Sequence, residues 1–229
     1  ALRRNSQQAV TADFAPGACR WFADLEANNS KAWFEENRAF WEAGAKALIA
    51  AIIEAAAERT GGKGKVFRQN RDVRFSKDKS PYKTNTYGVV TPKTGAAAIY
   101  ASIGKDGFYA GGGYYDMAKD QLERFREAVA GPKGAAFADE VAALRDAGLE
   151  VWGRALKTAP RGYPKDHERI ELLRMKEIVA GARLDPARTE SGEAEDHATR
   201  IWDRLDGFFA WLDAHVGPCR IPPEEMFRR

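Results

Sequence analysis

The chain predicts a single α+β domain in which a mainly antiparallel sheet is packed by several helices. Three observations carry that expectation. Apolar residues recur every three to four positions from Lys31 to about Arg59, short strand-like runs separated by turn residues follow between Val66 and Gly111, and helical spacing returns after Lys119. No linker, internal repeat or low-complexity tract divides the 229 residues. Residues 14–217 therefore read as the domain, 1–13 as an N-terminal extension and 218–229 as a C-terminal tail.

The first element is a helix from about Pro16 to Ala27, with Phe14, Cys19, Phe22 and Leu25 at helical spacing and Pro16 suited to a first turn. Asn28-Asn29-Ser30 breaks the chain and offers an N-cap for the next helix. That helix runs from Lys31 to about Arg59 with Trp33, Phe40, Trp41, Leu48, Ile52, Ile53 and Ala56 on its apolar face; Asn37 is the odd polar member. Its length is about 40 Å at 1.5 Å rise per residue, and Gly61-Gly62-Lys63-Gly64 ends it. Val66-Phe67-Arg68 opens a meander. Thr84 to Thr91, Ala96 to Ile103 and Phe108 to Gly111 are its further strands, with turns at Pro92–Gly95 and Gly104–Gly107.

Gly111-Gly112-Gly113 then reads as a strand-to-helix turn whose backbone N–H groups could face an anion. It is not a Walker loop, because no Gly-Lys-Ser/Thr follows. Helices are expected at Lys119–Ala130 and from Pro132 to near Gly148, and a strand at Leu149–Leu156. Pro160-Arg161-Gly162-Tyr163-Pro164 is an irregular loop. A helix from about His167 to Ala180, with Asp166 as N-cap, and one from Glu193 to Val216 complete the order.

At 44% hydrophobic and 11% aromatic, the chain can bury a substantial core. No apolar run approaches the roughly 20 residues of a membrane span, and Ala1-Leu2-Arg3-Arg4-Asn5 lacks a signal-peptide apolar segment. Cys19 and Cys219 make no disulfide framework and match no zinc spacing, which points to a reducing, cytoplasmic setting; one terminus-to-terminus bridge is the alternative. The net charge is +3, yet residues 63–83 alone carry eight cations against Asp72 and Asp78, a local net of +6 that leaves the rest of the chain at −3. Such local basicity favours a pocket or patch over a surface that coats nucleic acid throughout.

The densest segment is 68–84, where Arg71, Asp72, Arg74, Lys77, Asp78, Lys79 and Lys83 are too crowded and too mixed in sign for an ordinary solvated face. Two readings stand side by side. In one, Arg71 and Arg74 fork onto a phosphate or carboxylate while Lys77, Lys79 and Lys83 supply point charge. In the other, Asp72 and Asp78 organise the cations into a structural ion-pair network. The residue before Pro81 is biased extended, so Lys77–Ser80 forms a tight loop in either case.

Asn28, Asn29, Lys31, Asn37 and Arg38 form a second polar cluster, in which Asn29 or Ser30 serves as a cap and Asn37 and Arg38, one turn along, could line the same pocket, with Trp33 and Phe34 in the core. Asn29, Tyr82 and Arg161 would orient the ligand. The acid–base candidates are Asp72 and His167. Asp72 between two arginines reads as their orienter, since neighbouring cations lower a carboxylate pKa; His167 reads first as a cap-region surface histidine and only second as an acid–base group. No motif names a metal, a cofactor or a nucleophile.

Three blocks carry a resemblance. They are Asn28-Asn29-Ser30-Lys31-Ala32-Trp33-Phe34-Glu35-Glu36-Asn37-Arg38, the stretch from Arg71 to Thr84 (Arg-Asp-Val-Arg-Phe-Ser-Lys-Asp-Lys-Ser-Pro-Tyr-Lys-Thr), and Pro160 to His167. Over roughly residues 14–216 the chain resembles a widespread bacterial and fungal family of unknown function, departing from it at Gly61–Lys65, where the connection is shorter. The resemblance implies a single α+β domain and a shared site, and it implies no established chemistry. The expected function is a cytosolic protein whose central basic site binds a small phosphate- or carboxylate-bearing ligand. Its rivals are a nucleic-acid-binding module using the same patch and a scaffold in which the motif is structural.

Overall fold

The computed structural model describes residues 17–93 and 97–222. Helix α1 (Ala18–Ala27) starts from Gly17, whose φ of 99° suits only glycine, and buries Trp21, Phe22 and Leu25. The expected start at Pro16 and the apolar Phe14 lie outside the described residues. Ser30 caps α2 (Lys31–Trp41) by accepting from Trp33 N at 3.3 Å. The long helix expected over Lys31–Arg59 is continuous but not uniform. A π-helical turn at Glu42–Lys46 separates α2 from α3 (Ala47–Thr60), and Gly61 ends α3 at φ 61°. The widened turn inserts extra backbone and re-phases the apolar face, so that Phe34 and Trp41 below it and Ile49, Ile52 and Ile53 above it all reach the core.

Six strands follow: β1 (Lys63–Val66), β2 (Asn85–Thr91), β3 (Ala98–Gly104), β4 (Gly107–Tyr114), β5 (Glu150–Trp152) and β6 (Ile178–Leu184), in the order β1-β2-β3-β4-β6-β5. Every pairing is antiparallel, as the meander implies. The turn expected at Pro92–Gly95 falls partly on residues outside the described ones.

Three expectations are corrected. Gly111–Gly113 lies inside β4, fully buried, and is no strand-to-helix turn. A Cβ at Gly111 would stand 2.4 Å from the Ala180 carbonyl, and one at Gly112 would stand 2.7 Å from the Phe209 ring. The glycines are there because β6 and the last helix press close, so their N–H groups serve the sheet and not an anion. The helix expected over His167–Ala180 is a short α6 (Ile170–Arg174) followed by β6, with no cap from Asp166. Seven residues of Ile-Val-Ala-Gly-Ala-Arg-Leu are too short for periodicity to separate strand from helix; β-branched Ile178 and Val179 beside Gly181 decide for the strand. The expected final helix breaks at Leu205 into α8 (Ala194–Arg204) and α9 (Asp206–His215).

Helices α4 (Lys119–Ala130), α5 (Gly134–Asp146) and α7 (Pro186–Glu190) complete the set. One face of the sheet takes the helices. α3 lies on β1, β2 and β3, α1 on β3, and α8 on β4 and β6, while Val90, Ile99, Ala101, Ile103, Phe108 and Ala110 point into that core. The opposite face leaves Tyr87, Val89 and Tyr100 half-buried and Arg183 exposed. Cys19 and Cys219 are thiols and not a disulfide. Burial pushes the Cys19 thiol up to about 11, with Glu190 beside it adding to the effect, so it is no ready nucleophile. Among the described residues no helix is long and apolar enough to cross a membrane.

Gly112 offers a direct check on the packing. The Ala98 carbonyl stands 2.5 Å from where its Cβ would be. Gly112→Ala should therefore cost about 1–3 kcal/mol through overpacking, read as a lower urea midpoint with unchanged slope; an unchanged midpoint would show that β4 and α9 are not so closely seated.

Candidate functional site

Residues 67–71 and 81–87 pair as an irregular antiparallel arm that closes a loop over 72–80. Phe67 N donates to Tyr87 O (3.0 Å), Lys83 N to Gln69 O (2.9 Å) and Arg71 N to Pro81 O (2.8 Å), with Asn70 and Tyr82 bridged. The base of this hairpin is tied to the helices by buried groups. Trp41 Nε1 donates to Thr86 Oγ1 (2.7 Å), and Thr86 Oγ1 donates to Gln69 Oε1 (2.9 Å). Gln69 Nε2 in turn reaches the carbonyls of Lys83 and Asn85. Asn29 pairs with Tyr82 as a strand would: its Nδ2 donates to Tyr82 O at 3.0 Å and its Oδ1 accepts from Tyr82 N at 3.1 Å. The Tyr82 ring stacks on Phe34 at 4.0 Å and 17°.

Above that base the motif pairs with itself. Arg74 forks onto Asp72 (2.9 and 2.6 Å), and Arg71 bonds Asp78. Asp78 also accepts from Ser80 N at 2.9 Å and from the Ser80 hydroxyl. Lys79 Nζ donates to Val73 O (2.9 Å) and Lys83 Nζ to Arg68 O. The Arg74 side-chain and backbone donors hold the Asp72 carboxyl down at about 2. The Ser80 hydroxyl, the Ser80 N–H and then Arg71 hold Asp78 well below the usual carboxylate range. Asp72 is thus an orienter and a poor base near neutrality. Desolvation, with Arg68 as neighbour, lowers the Lys83 ammonium.

Beside this arm, between it and α2, lies an open cleft of about 340 Å³ lined by Phe34, Arg38, Trp41, Glu42, Lys46 and residues 66–70. Arg38, Glu42 and Lys46 form one row along α2 and the π-helical turn. Arg38 forks onto Glu35 (3.0 and 2.6 Å) and approaches Glu42 at 3.9 Å, while Lys46 stands 3.5 Å from Glu42 and over the Trp41 ring at 5.1 Å. Arg68 faces this row, and among the described residues its guanidinium makes no hydrogen bond or ion pair.

Of the residues the sequence singles out, Arg38 alone lines the cleft. Asn29, Arg71, Asp72, Arg74, Lys79, Tyr82 and Lys83 build the arm, while Lys31 and Lys77 are charges near it without hydrogen-bonded partners among the described residues. Asn37 is occupied within α2, donating to Trp33 O at 2.8 Å. Arg161 and His167 belong to a different loop, where Gly162 turns at φ 89° and the His167 Nδ1 accepts from Arg169 N at 2.9 Å. No hydrogen bond, ion pair or ring contact among the described residues joins that loop to the hairpin. His197 Nε2 meets Ala182 O at 3.1 Å, on a different helix from His215. Among the described residues no three His, Cys, Asp or Glu side chains gather as a metal site. Sequence reasoning missed Lys46, Arg68, Gln69 and Asn70 as a lining. The signal for the first was its place four residues after Glu42 and eight after Arg38, on one helical row.

The Asp72 fork has a measurable consequence. A carboxylate favoured in the folded state contributes stability above its ordinary value of 3.8, and that contribution is lost as pH falls towards about 2. Carbon NMR titration should give an Asp72 midpoint near pH 2 in the native chain and a higher one in Arg74→Ala, short of 3.8 because the backbone N–H of residue 74 still donates; a native midpoint at the ordinary value would contradict the pairing.

Set against known proteins, residues 17–211 match the family model described as conserved hypothetical protein (DUF2461). No curated protein and no solved structure matches the chain. With most of its length covered by that one model, the chain belongs to the DUF2461 family of conserved hypothetical proteins.

Proposed function

We propose that this is a cytosolic protein that binds a small phosphate- or carboxylate-bearing ligand in the cleft between α2 and residues 66–70. One observation carries the reading. Arg68 has a side chain without hydrogen-bonded partners among the described residues, and it faces Arg38 and Lys46 across a cleft of about 340 Å³, with Glu42 as the one lining acid. That volume lies at the small end of ligand sites. Aromatic walls from Phe34, Trp41 and Phe67 lower the local polarity, which strengthens a charge-assisted contact.

In this reading the hairpin is the scaffold. Arg71, Arg74, Lys79 and Lys83 are occupied in holding its shape, and Asn29 and Tyr82 fix where it stands. Lys31 and Lys77 add long-range attraction and no direct contact. The chemistry such a site supports is electrostatic stabilisation of a bound or transferring anionic group by fixed cations. Asn70, on the cleft lining, offers amide donors for orientation.

Thermal unfolding in rising inorganic phosphate or citrate, at constant ionic strength set with chloride, tests this. A saturable rise in melting temperature is expected for at least one of the two anions. Arg68→Ala and Arg38→Ala should each weaken the apparent affinity about tenfold or more, while Arg74→Ala should leave it close to native. If neither anion stabilises beyond chloride, or if the rise persists undiminished in Arg68→Ala, the cleft is not the site.

A further inference from the structure

The sheet face turned away from the helices carries an aromatic ladder. Phe67 stands 4.7 Å from Tyr87 with ring planes 20° apart; Tyr87 is 5.8 Å from Tyr100 and Tyr100 is 6.0 Å from Tyr109. Trp152 Nε1 then donates to the Tyr109 hydroxyl at 3.0 Å. The ladder crosses the sheet from the β1 edge to β5, five strand spacings or about 24 Å. A solvent-side face of an antiparallel sheet is ordinarily polar. Here two of its large side chains are open, Tyr115 at 68% and Trp152 at 39% exposure.

The floor beneath the ladder is built for it. A Cβ at Gly181 would meet the Tyr109 hydroxyl at 2.5 Å, and one at Gly111 would meet Tyr109 Cε1 at 3.0 Å. Two glycines in neighbouring central strands weaken both strands, and what they allow is an aromatic ring laid against the backbone. Cations flank the rings. Lys65 Nζ is 4.8 Å from the Phe67 centroid, Lys83 Nζ 5.1 Å from that of Tyr87, and the Arg183 guanidinium 5.8 Å from that of Tyr109. Arg183 lies directly opposite Tyr109 in the register, so a cation neighbours that ring on the adjacent strand. Glu150, paired with Gly181 on β5, is the acid at its far edge.

We infer that this face is a platform for single-stranded nucleic acid, meeting the anion cleft at Phe67 and otherwise separate from its lining. Unpaired bases lie against Tyr115, Trp152 and the half-buried rings of Phe67, Tyr87 and Tyr100, with the Tyr109 ring buried among them, and Lys65 and Arg183 take the phosphates. The length of the ladder suits a chain of several rings and exceeds any single small ligand. Stacking on aromatic side chains needs bases freed from a duplex, so single strands are preferred.

The test is fluorescence anisotropy with a fluorescein-labelled oligothymidylate of 15 nucleotides and a duplex of equal length. The single strand should bind more tightly than the duplex, with affinity falling as salt rises. Trp152→Ala and Tyr115→Ala should each weaken binding about fivefold to a hundredfold. Lys65→Ala should flatten the log–log salt slope by about 0.7. Tyr115 is exposed enough that its variant will fold, and Trp152→Phe restores a ring without the Tyr109 hydrogen bond; binding retained in Trp152→Phe supports stacking. No binding at low salt would overturn the inference. Equal affinity for duplex and single strand, with both alanine variants binding as the native chain does, would reduce the face to a general polyanion patch and overturn it equally.

Discussion

Gln69 holds the basic hairpin to the body of the protein, and the site depends on that attachment. The residue is 3% exposed; its side chain accepts from Thr86, which is itself bonded by Trp41, and donates to two carbonyls of the returning arm. A buried amide costs free energy unless each donor and acceptor is met, and here the chain of partners is closed on both sides. Asn29 adds a second tie with two hydrogen bonds to one peptide unit. The register of residues 66–70 against α2, and with it the cleft, follows from these few contacts.

The charged part of the motif has a lesser share in stability than its density implies. Arg74 and Asp72 are 77% and 50% exposed in their side chains, and exposed ion pairs are screened and contribute little. Their effect is geometric. By pairing with Asp72, Asp78 and backbone carbonyls, most of the cations in residues 71–83 are used locally. The free charge is thereby displaced from the tip to the base of the arm, where Arg68 meets Arg38 and Lys46.

Much of the architecture was legible because its signals are local. Ser30 reads as a cap and Gly61 as a stop because each acts within one turn of the chain, and the meander is announced by its turn residues. The π-helical turn was not legible, since a spacing of three to four tolerates one extra residue without breaking the apolar pattern. β6 and Gly111–Gly113 were misread for one shared reason. Small residues in neighbouring strands are chosen by close approach across the sheet, which no local window contains. The dense basic block was visible as a place of fixed charge, yet whether its cations face a ligand or one another depends on Asp72 and Asp78 in three dimensions. Spacing puts Lys46 on the row of Arg38 and Glu42, but Arg68 joins it only because the hairpin folds beside α2, which no spacing shows.

The central claim is that the hairpin's arginines are satisfied internally while Arg68, at the cleft, is left to take an anion beside the Glu35-paired Arg38. Nitrogen–proton NMR of the arginine Nε–Hε groups during titration with inorganic phosphate tests it most directly. The account predicts that the Arg71 and Arg74 resonances stay in place, held by their carboxylates, while Arg68, which has none, shifts along a saturable curve. Movement of Arg71 and Arg74 with Arg68 unmoved would return the ligand to the hairpin tip and contradict the account.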